Sequence, residues 1–116
     1  MVKVNIISMK ILNIHKTIAN EELLDLLQLK LNPLFHKQKQ SDINFKSEIK
    51  DNHVEISQPD IYEGFLFRIE INGHELHIIR SEHYVDDVNS LTAESILNEL
   101  FAQLAADGKV TLILEG

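Results

Sequence analysis

The chain predicts an α+β fold: a mostly antiparallel sheet of about six strands with two helices packed on one face. Three observations predict it. Apolar and polar residues alternate on both sides of two turn dipeptides, Asp51-Asn52 and Asn72-Gly73. Two longer segments carry apolar residues at helical spacing. The resulting element order is β-α-β-β-β-β-α-β. With 116 residues, no internal repeat and no linker-like stretch, the chain is expected to form a single domain over 1–116.

The elements follow in order. Val2, Val4 and Ile6 alternate, and Ile7, Met9 and Ile11 continue in the opposite phase, so a first strand with a bulge near 6–7 is expected. Asn20 suits a helix N-cap, with Glu21 and Glu22 in the first turn where the helix dipole favours them. Leu24, Leu27, Leu31 and Leu34 then form an apolar stripe, and Pro33 is expected to interrupt it before a polar loop at 36–40. Around Asp51-Asn52, a two-residue turn sets Ile49 against Val54 and Ser47 against Ile56. Around Asn72-Gly73, a type I′ turn sets Ile69 against Leu76, Phe67 against Ile78, Leu66 against Ile79 and Gly64 against Ser81. Thr92 reads as the second helix's N-cap, with Leu91 and Ile96 as a hydrophobic staple. Ala93, Ile96, Leu97, Leu100, Phe101, Leu104 and Ala105 give that helix one buried stripe. Gly108 suits its C′ position, and 110–114, apolar on both faces, reads as a central strand.

Charge is distributed unevenly. Residues 1–50 carry a balance of +3 and residues 51–116 a balance of −10, which together make the chain's −7. This acidic surface argues against a nucleic-acid partner, whose phosphates it would repel. No window offers the run of about 18 apolar residues that a membrane span needs. The N-terminus lacks the basic and apolar regions of a signal peptide, so the cytoplasm is the expected location. Cysteine is absent, which excludes a disulfide framework, a thiolate metal site and a cysteine nucleophile.

One constellation has the look of chemistry. The expected hairpin register sets Arg68 across from His77 and Glu70 across from Glu75, and carboxylates that close could share a proton. The plainer reading is a solvated sheet face, which the similar pattern at Lys46, Glu48, Lys50, His53 and Glu55 supports. His74, His77 and His83 cluster in sequence, but His74 and His77 point to opposite faces of a strand, so no metal site is expected. No glycine-rich stretch could cradle a phosphate, and no cofactor is expected.

The remaining feature is geometric. The loops 58–63 and 81–91 should emerge at the same end of the sheet. They hold Asp60, Glu63, Glu82, Asp86 and Asp87 with no lysine or arginine, together with both tyrosines, Tyr62 and Tyr84. Carboxylates ringing exposed tyrosines would suit contact with a basic protein, the rings as anchors and the charges to speed encounter. Alternatively, the loops are merely polar and both rings pack inward.

The stretch Ala93-Glu94-Ser95-Ile96-Leu97 through Asp107-Gly108-Lys109-Val110-Thr111-Leu112-Ile113-Leu114 resembles the C-terminal helix and strand of the barstar inhibitors of a basic ribonuclease. The hairpins at 43–79 have no counterpart there, so no inhibitory residue carries over. The function expected is therefore non-enzymatic: a small acidic protein acting by stoichiometric protein contact. In its most concrete form it is an immunity-type or anti-defence inhibitor covering a basic site such as that of a nuclease toxin. Two alternatives are an assembly or homo-oligomer subunit joined through Leu66 and Ile79 on the open sheet face, and a small enzyme or ligand binder using Arg68, Glu70, Glu75 and His77.

Overall fold

The computed structural model describes residues 9–14, 18–84, 86–106 and 110–113. The expected bulge near 6–7 and the Gly108 cap lie outside them. Six strands and two helices follow in the expected order: β1 (Met9–Ile14), α1 (Asn20–Lys39), β2 (Lys46–Lys50), β3 (His53–Ser57), β4 (Phe65–Asn72), β5 (Glu75–Arg80), α2 (Val88–Ala106) and β6 (Val110–Ile113). A short 3₁₀ turn at Glu82–Tyr84 precedes α2. The strands form one sheet in the order β2-β3-β4-β5-β1-β6, with every pair antiparallel. Since β6 pairs only with β1, it lies at an edge of the described sheet rather than in the centre. Its backbone runs against α2.

One face of the sheet supplies the core. Leu12, Val54, Ile56, Phe67, Ile69, Leu76 and Ile78 meet Leu23, Leu27, Leu31 and Phe35 of α1 and Ala93, Ile96, Leu97, Leu100 and Phe101 of α2. Each large side chain buried here contributes roughly 1.5–3 kcal/mol. The stripe of α1 therefore recurs at every fourth residue from Leu23 to Phe35, while Leu24 and Leu34 are only partly buried.

Helix α1 differs from expectation at both ends. Its N-cap is Ala19, whose N–H donates to the Glu22 carboxylate at 3.1 Å. Asn20 lies in the first turn instead, and its amide nitrogen reaches the Asn52 carbonyl and side-chain oxygens at 3.2 Å each, tying the helix to the β2–β3 turn. The helix also runs through Pro33 to Lys39 and ends on Gln40 in the left-handed conformation. An interior proline costs about 3 kcal/mol. Burial of Leu31 and Phe35 on either side of it offsets that cost.

A polar ladder adds to the offset. The Gln28 amide donates to the Ser47 carbonyl (3.2 Å), Asn32 bonds both the N–H (2.7 Å) and carbonyl (2.9 Å) of Phe45, and His36 meets the Ile43 carbonyl (2.8 Å). Four helical residues rise about 6 Å and two extended residues about 6.7 Å, so the two periods match. The ladder thereby answers backbone groups along the chain's entry into the edge strand β2, which would otherwise be open to another strand.

The first hairpin has the expected register, with Ile49 opposite Val54 and Ser47 opposite Ile56. Positive φ at both Asp51 and Asn52 fits a type I′ turn. In the second hairpin the register is displaced by two residues. Asn72 pairs with Glu75, so the turn centres on Gly73-His74, and only Gly73 has positive φ, as a type II′ turn requires. A shift of two preserves faces but changes partners: Ile69 now faces Ile78 and Phe67 faces Arg80. A bulge adds the second change. Ile56 faces Phe67 but Ser57 faces Phe65, leaving Leu66 as the extra residue. Leu66 turns into the core, with no exposed surface, and Phe65 moves to the open face.

Candidate functional site

The β3–β4 loop (58–64) and the segment between β5 and α2 (81–87) emerge at one end of the sheet, where Ser81 N–H donates to the Leu66 carbonyl at 2.9 Å. Two tyrosines bind these segments together. The buried Tyr62 hydroxyl donates to the Asp87 carboxylate at 2.6 Å and accepts from the Asn89 amide at 3.0 Å. The same Asp87 oxygen accepts the Ser90 N–H at 3.0 Å, which makes Asp87 the N-cap of α2. The helix thus starts one turn before the expected Thr92, whose hydroxyl instead donates to the Val88 carbonyl at 3.0 Å. Burial, and then the bond to Asp87, push the Tyr62 hydroxyl above its ordinary 10.0.

Tyr84 works in the opposite direction. Its hydroxyl donates to the Glu63 carbonyl at 2.7 Å and accepts the Glu63 N–H at 2.8 Å. The two rings meet edge to face with centroids 4.9 Å apart. Three of the seven expected site residues, Tyr62, Tyr84 and Asp87, therefore have structural partners. The expectation of exposed tyrosine anchors fails, because Tyr62 belongs to the core and Tyr84 packs against it.

The other four expected residues form an exposed rim. Asp60, Glu63, Glu82 and Asp86 all face solvent, and none joins an ion pair among the described residues. Three large apolar residues are exposed in or next to these segments: Ile61 (50%) in the first, and Val88 (58%) and Leu91 (45%) at the start of α2. Ile61 and Val88 adjoin the bonded pair Tyr62 and Asp87 in sequence, and Leu91 lies one turn beyond Val88 on α2. Reasoning from sequence missed Val88 and Leu91 because it placed the helix start at Thr92, with Leu91 as a staple; Ile61 carried no signal to set it apart in its loop. The pair Asp86-Asp87, directly before an apolar residue, was the available signal. Between the segments lies an open cleft of about 440 Å³, lined by Glu63, Gly64, Phe65, Ser81, His83 and Tyr84.

The open sheet face is arranged otherwise. The two-residue shift sets Glu70 against His77 and Glu75 against Asn72, so the expected carboxylate pair does not form. Arg68 faces Ile79 and reaches Glu55 and Glu70, each at 3.9 Å. Glu55 also meets His53 at 2.9 Å and Lys50 at 3.9 Å, Lys46 meets Glu48 at 3.7 Å, and Glu75 meets His77 at 2.8 Å. Each carboxylate of this group has a basic neighbour, as on a solvated face. The expected contact through Leu66 and Ile79 loses its first member, since the bulge buries Leu66.

Among the described residues, no group of three or more His, Asp or Glu side chains could hold a metal ion. None of their helices is long and apolar enough to cross a membrane. Comparison with known proteins finds no family model, no curated protein and no solved structure that matches the chain. The likeness of 93–114 to the barstar inhibitors rests on those residues alone.

Proposed function

We propose that this protein acts by stoichiometric contact with another protein of basic surface, using the loop end of its sheet. The observation that carries the reading is the pairing of two features there. Asp60, Glu63, Glu82 and Asp86 are exposed with no ion pair among the described residues, and Ile61 in the first segment and Val88 and Leu91 at the start of α2 are exposed as well. Apolar side chains in the middle of a contact supply affinity through burial, while charges around it steer the encounter. Tyr62, Tyr84 and Asp87 serve this surface by holding its two segments in one geometry, so little order has to be gained on binding.

In its most concrete form the protein is a cytoplasmic, non-enzymatic inhibitor of the immunity or anti-defence type, covering a basic site such as that of a nuclease toxin. Electrostatic steering raises association rates by roughly 10- to 1,000-fold and fades as salt screens the charges. With a basic partner in hand, association measured across a salt series is expected to slow steeply while dissociation changes little. An association rate indifferent to salt would refute the reading.

A further inference from the structure

The cleft at the loop end has walls unlike the rest of the rim. Two aromatic residues, Phe65 and Tyr84, line it together with Glu63, His83, Gly64 and Ser81. No lysine or arginine lines it. Tyr84 is held by two hydrogen bonds from its hydroxyl to the Glu63 backbone, which leaves the Glu63 carboxylate exposed at the same place. Aromatic faces attract cations through their quadrupole, and a carboxylate beside them adds a charge-assisted hydrogen bond. One face of the Phe65 ring already carries a cation, the guanidinium carbon of Arg68 lying 4.6 Å from its centroid, so the aromatic wall left for a second guanidinium is Tyr84 and the other face of Phe65. The bulge at Leu66 makes it possible, because it carries Phe65 out of the core to the margin of both face and cleft.

We infer that this cleft receives an arginine side chain of the partner, its guanidinium resting on the aromatic wall and forking onto Glu63. Arginine fits better than lysine because its flat group both stacks and bonds a carboxylate through two N–H donors. The volume of about 440 Å³ is ample for one side chain and falls in the range of small-ligand sites. The inference rests on the proposed basic partner and assigns that partner its anchoring residue.

The test needs no partner. N-acetylarginine amide is titrated into the full chain and followed by backbone amide NMR, with uncharged N-acetylcitrulline amide as control. Saturable shifts are expected at Gly64, Phe65, Ser81, His83 and Tyr84, with citrulline at least about tenfold weaker. Glu63→Gln, at an exposed side chain, is expected to keep the spectrum of the fold and to weaken arginine about tenfold. The absence of saturable shifts, equal binding of citrulline, or undiminished binding by Glu63→Gln would overturn the assignment. That failure would concern the cleft alone, since the salt series with an intact partner judges the wider proposal separately.

Discussion

The open face of the sheet and its loop end are both rich in carboxylates, and they differ in what answers those charges. On the face, Glu48, Glu55, Glu70 and Glu75 each have a lysine, arginine or histidine neighbour from the same or an adjacent strand. At the loop end Asp87 is consumed as a helix cap, while Asp60, Glu63, Glu82 and Asp86 have no ion pair among the described residues. Cross-strand neighbours lie about 5 Å apart, within reach of compensating side chains. The two connecting segments hold no lysine or arginine to supply such compensation. Charge density alone thus says little about function; the proposal of a partner surface rests on charge without an ion pair among the described residues, together with exposed apolar side chains.

Substitutions can break that contrast, beginning with the largest effect. Asp87→Ala removes the α2 cap and leaves the Tyr62 O–H without its acceptor, so a loss of about 2–4 kcal/mol is expected in denaturant unfolding. Tyr62→Phe leaves the cap in place and should cost about 2 kcal/mol. It should also change the response to alkali. The folded state of the native protein holds the Tyr62 proton more tightly than the unfolded chain, because the hydroxyl lies above its ordinary 10.0. That stabilisation is complete below pH 10 and drains away as pH rises through the folded value. The phenylalanine variant should lack this fall, measured as unfolding free energy against pH.

The remaining substitutions are milder. Glu55→Gln on the open face removes the shared neighbour of Lys50, His53 and Arg68, for about 1 kcal/mol at most. Glu82→Lys combined with Asp86→Lys should cost no more than about 1 kcal/mol, since both side chains are exposed with no ion pair among the described residues and only Asp86 adjoins the start of α2, whose dipole disfavours a lysine. A large loss in that double variant, seen in the same unfolding assay, would mean that the rim is structural.

Much of the fold was legible because periodicity survives small errors. The hairpin faces could be read from alternation, and a register displaced by two residues leaves every side chain on its face. The partners could not be read, because Asn72-Gly73 suits one tight turn and Gly73-His74 another. The Leu66 bulge was hidden for a related reason: Phe65, Phe67, Ile69 and Ile71 alternate without a break, and only the pairing with β3 reveals the extra residue. Pro33 was misjudged because its local cost is visible in sequence while the burial of Leu31 and Phe35 and the Asn32 bonds to Phe45 are tertiary. At the loop end, hairpin pairing was enough to bring the two acidic segments to the same end of the sheet. That pairing could not separate Asp87, bound to Tyr62 and Ser90, from Asp86 next to it, which is exposed.

On the proposed reading the loop end, and not the open face, meets the partner. Affinity capture from the native cell with three forms of the protein tests it most directly: native, Glu82→Lys/Asp86→Lys, and Glu55→Gln. A basic protein is expected in equal stoichiometry with the native and Glu55→Gln forms, eluted by salt, and missing from the charge-reversed form. Recovery of the same protein by the charge-reversed form, or its loss only from Glu55→Gln, would contradict that reading.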